Sequence, residues 1–209
     1  MKTYRCNRIR DKVQIDGRLD EKAWKTVPRV GLVDAVAGGK PEQETNVYLL
    51  WDSEFLYVAF DCEDREIKAS YTGFNDPLYE EDVVEIFIDD NNDLKTYLEF
   101  EINPLNAVLH YMVANDLKGS FQGYACLKNN VVSKVARIVD ENRTRYEIAI
   151  PFSEFKTTGN NPPKPGDTWR FNLYRINHGK DGLPEYSAWC PTGKATFHLP
   201  QFFGELIFT

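Results

Sequence analysis

Tyr79–Asn106 reads YEEDVVEIFIDDNNDLKTYLEFEINPLN. Two strand-length runs, Val83–Asp89 and Thr96–Asn103, flank a turn rich in Asp and Asn. Side chains alternate across a strand, so Val84, Ile86 and Ile88 share one face of the first run. Glu85, Phe87 and Asp89 share the other. In the second run Leu98, Phe100 and Ile102 form the apolar set, with Tyr97, Glu99, Glu101 and Asn103 opposite. Matching the two apolar sets sets Ile88 against Leu98, Ile86 against Phe100 and Val84 against Ile102. Glu85 then lies opposite Glu101, and Phe87 opposite Glu99. Like charges directly opposite cost up to ~1 kcal/mol. Such a face is either well solvated or meets a cation, a basic side chain such as Arg175, or a hydroxyl-rich ligand. The apolar six are expected in the core, with Glu85, Glu99 and Glu101 turned away from it.

The pattern repeats outward from this hairpin. Asn46–Trp51, Phe55–Asp61, Val108–Val113, Val131–Val139, Arg145–Ile150, Thr168–Ile176 and Phe203–Phe208 are also strand-length runs rich in Val, Ile, Tyr and Phe. Trp51-Asp52-Ser53-Glu54 reads as a tight hairpin link, and Gly159–Gly166 (GNNPPKPG) as a loop between strands. Helical signals are few: two turns over Leu19–Lys25 and one over Pro151–Phe155, with Pro at its first position. Many short strands with almost no helix predict an all-β fold, a two-sheet antiparallel β-sandwich of jelly-roll type. With 209 residues and no linker or repeat, the expectation is a single domain over 1–209.

Charge and composition exclude several partners. The 25 basic residues are scattered among 32 acidic ones, for a net charge of −7, which disfavours nucleic acid. No apolar run approaches the ~20 residues of a membrane span. Met1–Lys12 carries five Lys or Arg residues but no apolar core of a secretory signal. The chain as written therefore reads as cytoplasmic, or as secreted with its leader removed. Cys6, Cys62, Cys126 and Cys190 form no CxxC pair, and free thiols are expected.

Ordered motifs along nearly the whole chain carry a family resemblance. They are Ile15-Asp16-Gly17-Arg18-Leu19-Asp20-Glu21 with Trp24, Leu50-Trp51-Asp52, Leu56–Phe60, Asp82–Asp89, Phe100–Pro104, Glu147–Phe152, Trp169–Asn172, Ser187–Thr192 and Phe203–Leu206. In this succession the chain resembles family 9 carbohydrate-binding modules, and more closely the stand-alone family 9-like proteins. The resemblance implies a jelly-roll sandwich that binds an oligo- or polysaccharide, such as one derived from xylan or glucan, without catalysis. It implies a sugar held between two aromatic rings and a rim of polar side chains. By the family's spacing one ring is Tyr79, six residues before Glu85, where a Trp is common; the second is Trp189. Among the polar side chains that the resemblance implies around the hydroxyls, Glu85 fits best, and Glu101, Asn103 and Arg175 are assigned by strand position alone. No cofactor is required, although some family members bind structural calcium.

Each residue also has a plainer reading. Trp189 could plug a loop, and Tyr79 could cap a strand end. Trp24, Trp51 and Trp169 lie in or beside apolar runs and belong to the core. Asp89–Asp93 offers oxygens suited to calcium, but without the EF-hand Gly and Glu a plain hairpin turn is favoured. His110, His178 and His198 show no metal spacing. His198 lies near Trp189 and could border the sugar, with an incidental surface position as the simpler account. A hydrolase would need paired carboxylates, for which Glu85 and Glu101 are the candidates. A haem module would need axial ligands, hinted at only by His110 and Met112.

Overall fold

The alternating runs form strands in the computed structural model, which describes all residues from Met1 to Thr209. In chain order these are β1 (Thr3–Arg8), β2 (Val30–Gly31), β3 (Val33–Asp34), β4 (Thr45–Trp51), β5 (Phe55–Glu63), β6 (Val83–Asp89) and β7 (Thr96–Ile102). They continue as β8 (Val108–Asn115), β9 (Phe121–Ala125), β10 (Val132–Ile138), β11 (Arg143–Pro151), β12 (Thr168–His178), β13 (Pro184–Ala188) and β14 (Gly204–Phe208). One sheet runs β9-β8-β7-β6-β12-β14-β1 and the other β1-β4-β5-β11-β10. β1 belongs to both. Thr3–Cys6 pair with β14 and Asn7–Arg8 with β4, both in parallel, while the remaining ladders are antiparallel. β13 extends β12 along the edge where β14 leaves off, and carries β3 in turn.

Between the sheets Val84, Ile86, Ile88, Phe100 and Ile102 pack with Leu49, Trp51, Val58, Phe60, Ile148, Trp169, Phe171 and Leu173. Leu98 packs at the rim of this core and is only partly buried. The β6–β7 register pairs Ile88 with Leu98, Ile86 with Phe100 and Val84 with Ile102. The hydrophobic sets had to meet in this way, because a slip of one residue would turn each of them outward. Trp24, Trp51 and Trp169 are buried.

The opposite face of β6–β7 is not a solvated surface. It holds a second apolar cluster that includes Phe87, Tyr97, Tyr174, Ile176, Phe197 and Phe203. The returning segment Thr196–Phe203 lies across it. Phe197 stacks on Tyr174 at 4.1 Å between ring centroids, and His198 sits 5.1 Å from Phe87.

The two-turn helix expected at Leu19–Lys25 is reduced to a 3₁₀ turn at Trp24–Thr26. The reason is a competing set of hydrogen bonds. The amides of Asp16 and Gly17 donate to Glu147 Oε2 at 2.8 and 2.7 Å, and the Trp24 indole donates to Oε1 at 2.8 Å. This carboxylate ties the Asp-Gly and Trp ends of the segment to β11. Pro151–Phe155 keeps a single 3₁₀ turn at Phe152–Glu154. All four cysteines are free.

Candidate functional site

The strand ladders decide which side chains share the outer face. Directly paired residues project the same way, and Glu85 pairs with Glu101 on one side and Tyr174 on the other. Tyr174 pairs in turn with Ala188, and Ile176 with Tyr186. Glu99 stands two residues along β7 from Glu101 and faces Phe87 and Tyr111 across its two neighbours. Above them opens a groove of about 570 Å³ whose lining includes Tyr79, Tyr111, Phe121, Tyr186, Phe197 and His198, with the three glutamates.

Each ring is held by a local feature. Tyr79 lies in the 3₁₀ turn Leu78–Glu80, anchored by buried Leu78, and remains 49% exposed. Tyr111 lies over Gly123 on the neighbouring strand. A Cβ at Gly123 would come within 2.6 Å of the Tyr111 ring, so only glycine allows that approach. Phe121 stacks on His198 at 3.6 Å, and His198 Nδ1 shares a 2.8 Å hydrogen bond with the Tyr97 hydroxyl. His198, which sequence reasoning left between two accounts, thus lines the groove.

The carboxyls are deeply buried: Glu85 is 2% exposed, Glu99 5% and Glu101 0%. Glu85 Oε1 lacks a hydrogen-bond partner, and Glu101 meets only the neighbouring Glu99 carboxyl and the Tyr79 backbone. Burial first, then the charge of Glu99, pushes the Glu85 carboxyl well above the usual carboxylate range. Burial followed by the charges of Glu85 and Glu99 does the same to Glu101. Burial pushes Glu99 up to about 7, and pulls the His198 imidazole down to about 4, so that it is neutral near pH 7.

A pH dependence of stability follows. The folded cluster holds its protons more tightly than the unfolded chain does. Below the unfolded carboxyl value of 4.5 both states are protonated and nothing is lost; above it the unfolded chain ionises first. Stability therefore falls as pH rises from there through the folded values, by up to about 1.4 kcal/mol per pH unit for each group in its window. In metal-free buffer, urea unfolding should show the chain less stable at pH 8 than at pH 5.5. Glu101→Gln should flatten that difference, and equal slopes for the two proteins would refute the account.

Of the residues expected to bind sugar, Tyr79, Glu85 and Glu101 meet at this groove; Trp189, Arg175 and Asn103 do not. Ala188 shares a face with Tyr174 and Glu85, so Trp189, one residue on, turns to the opposite side. Its ring is 3% exposed in the inter-sheet core, 4.6 Å from Phe171. It does not face Tyr79 across a groove. Arg175 pairs with Val84 and likewise points between the sheets. It donates to the Glu63 carbonyl at 2.7 Å and Thr45 Oγ1 at 3.1 Å, and lies 3.7 Å from Asp64. Asn103 closes the turn after β7: its Oδ1 accepts from the amides of Leu105 and Ala107, and its Nδ2 donates to the Tyr71 carbonyl.

The other marked residues have local roles. Asp89 accepts from the amides of Asn91 and Leu94, and Asp93 from those of Lys95 and Thr96. These carboxylates are committed to turn geometry. His110 stacks on Phe100 at 4.4 Å and lies 3.7 Å from Glu154, whereas Met112 is exposed. A second groove, lined by Arg8, Arg10, Lys12, Asp52 and Glu54 among others, mixes both charges and contains none of the buried carboxylates described above.

Sequence reasoning missed Tyr111, Phe121, Tyr186 and Phe197 as lining residues. For Tyr186 and Phe197 the signal was weak, because loop and short-strand segments carry no periodicity. Tyr111 shows one, since it alternates with His110 and Met112 and faces Glu99 once the β7–β8 register is known.

A family model described as "Carbohydrate family 9 binding domain-like" matches residues 15–209. An "Extracellular protein" of Arthroderma benhamiae is 28% identical over 200 residues, covering 88% of this chain and 86% of that one. "Endo-1,4-beta-xylanase A" of Thermoanaerobacterium saccharolyticum is 29% identical over 196 residues, 93% of this chain. The chain spans only 15% of that xylanase's length. A solved carbohydrate-binding module of family 9 from Caldicellulosiruptor kristjanssonii, in complex with cellotriose, superposes with a TM-score of 0.71. The match covers 100% of this chain and 94% of that one at 19% identity, and so shows the shared fold.

Proposed function

The chain belongs to the carbohydrate family 9 binding domain-like family, and we propose that it binds an oligo- or polysaccharide, without cleaving it, in the groove over Glu85, Glu99 and Glu101. The observation that carries this reading is the combination of aromatic rings with buried carboxyls that meet no cationic donor. A pyranose has an apolar C–H face and a rim of hydroxyls. Rings such as Tyr79 and Tyr111 suit the face, and the carboxyls suit the rim. Covering ~100 Å² of apolar sugar surface contributes about 2–3 kcal/mol. Association entropy opposes this, so dissociation constants on the order of micromolar to millimolar are expected.

The similarity to part of a xylanase and the likeness to a cellotriose-binding module support xylan- or glucan-derived chains as the first ligands to try. Binding rather than hydrolysis is supported by the family, whose matching model is a binding domain. Calorimetric titration with gluco- and xylo-oligosaccharides should detect binding to at least one series. Incubation with xylan and cellulose should release no reducing sugar. Sustained release that Glu85→Gln abolishes would replace this reading with a glycosidase.

A further inference from the structure

We propose that Glu85, Glu99 and Glu101 form a divalent-cation site, suited to Ca²⁺, on the floor of the groove, and that adjacent hydroxyls of the bound sugar complete the ion's coordination. The cation half of this inference stands on the carboxylates alone. The hydroxyl half rests on the carbohydrate reading.

The geometry is already assembled. One oxygen from each glutamate lies within 4.8 Å of the other two. Calcium–oxygen distances are about 2.3–2.6 Å, so ligands on opposite sides of one ion stand roughly 4.6–5.2 Å apart. The three oxygens can therefore reach a common ion with their strands in place. They are held there by the ladder: Glu85 and Glu101 are direct cross-strand partners, and Glu99 follows on the same face.

A second observation points to the missing ligand. Glu85 is only 2% exposed, yet its Oε1 has no hydrogen-bond partner, and fully buried Glu101 meets no cationic donor, only the neighbouring Glu99 carboxyl and the Tyr79 backbone. Buried polar groups are almost always satisfied, so an orphaned oxygen beneath an open groove marks something that binds there. Nothing in the protein supplies the positive charge. No Lys or Arg lines the groove, and the facing Tyr79, Tyr111, Tyr174 and Tyr97 are neutral phenols. Arg175 is turned to the opposite face. His198 comes only to 4.0 Å from Glu99.

The donor set selects the ion. Three carboxylates and no nitrogen or sulfur ligand suit a hard cation. Ca²⁺ takes six to eight oxygens in flexible geometry, whereas Mg²⁺ demands near-ideal octahedral coordination and gives up its waters reluctantly. Three glutamates leave several positions open toward the groove. Two neighbouring sugar hydroxyls can fill two of them, and water the rest. The Asp89–Asp93 turn lacks this property, since its carboxylates already accept backbone amides.

The test uses the full chain stripped of metal with a chelator and dialysed. Titration with CaCl₂, followed by calorimetry and by Tb³⁺ luminescence sensitised by the nearby tyrosines, should show one ion bound with a dissociation constant of about 10⁻⁴ M or tighter. Glu101→Gln and, as a second near-isosteric variant, Glu85→Gln should each weaken Ca²⁺ binding at least tenfold; Asp93→Asn should leave it unchanged. A gluco- or xylo-oligosaccharide that binds in Ca²⁺ should bind at least tenfold more weakly in EDTA. No Ca²⁺ binding, or binding that survives both glutamate variants, overturns the site. Ca²⁺ at the triad with sugar affinity equal in Ca²⁺ and EDTA overturns the bridging role. Ca²⁺ at the triad with no sugar bound in either buffer supports the cation site and overturns the carbohydrate reading instead.

Discussion

Trp189→Ala is expected to cost about 3–5 kcal/mol of folding stability, the range for truncating a large buried aromatic. In the fraction that remains folded, sugar affinity should be unchanged. The Trp189 ring lies in the inter-sheet core against Phe171. Its far edge occupies the space that a side chain at residue 204 would need: a Cβ on Gly204 would come within 2.5 Å of the indole. Backbone clamps hold the segment in place. Asn172 donates to the Cys190 carbonyl at 2.8 Å and accepts from its amide at 2.9 Å. Such a site cannot collapse to refill the void, which puts the cost in the upper part of the range. For a chain of this length, that corresponds to a drop in Tm of roughly 10 °C or more. A variant with unchanged Tm and lost sugar binding would return Trp189 to the role of sugar platform.

The second large effect is the reverse case. Tyr79→Ala should leave Tm nearly unchanged and weaken oligosaccharide binding by about 2 kcal/mol, roughly thirty-fold. Tyr79 is 49% exposed at the groove, so its ring packs little against the core, while buried Leu78 beside it holds the turn. A ring free on one face has its area available to a sugar. Tyr79→Phe should retain most of the affinity if stacking is what matters. Calorimetry with the best ligand of the gluco- and xylo-oligosaccharide screen measures both variants. Equal affinity of Tyr79→Ala and the parent chain would move the platform to Tyr111, Tyr186 or Phe121.

Taken together, the two tryptophan and tyrosine variants separate packing from recognition at positions that the sequence presents alike. Both residues sit outside long periodic strands, and the family resemblance assigns a sugar platform to each, Tyr79 by its spacing from Glu85 and Trp189 by its place in the closing motif. What divides them is parity. Trp189 is an odd step from Ala188, which shares the groove face with Tyr174 and Glu85. Arg175 fell to the same rule, and its sequence contained the clue. Trp169, Phe171 and Leu173 are apolar and alternate in step with Arg175, which marks it as a core-facing position, here satisfied by Asp64, Thr45 and the Glu63 carbonyl.

The register of the β6–β7 hairpin was legible to the residue, although β7 ends at Ile102, one residue short of the expected Asn103, and Leu98 is only partly buried. The hairpin's two apolar sets admit one register, so the facing of Glu85 and Glu101 followed without coordinates. The all-β sandwich followed from the same alternation repeated along the chain. The short strands β9 and β13 were not legible: β9 has no buried residue, and β13 opens on Pro184, so neither shows an alternating pattern. Only the tertiary structure decided that the glutamates are buried. Alternation places a side chain on a face, but whether water reaches that face depends on what folds over it. Here Phe197, His198 and Phe203 arrive from about a hundred residues downstream of the hairpin and convert an outer sheet face into a groove. Burial by a distant segment leaves no period in the strand it covers, which is why the charge pattern could announce a ligand site but not its depth.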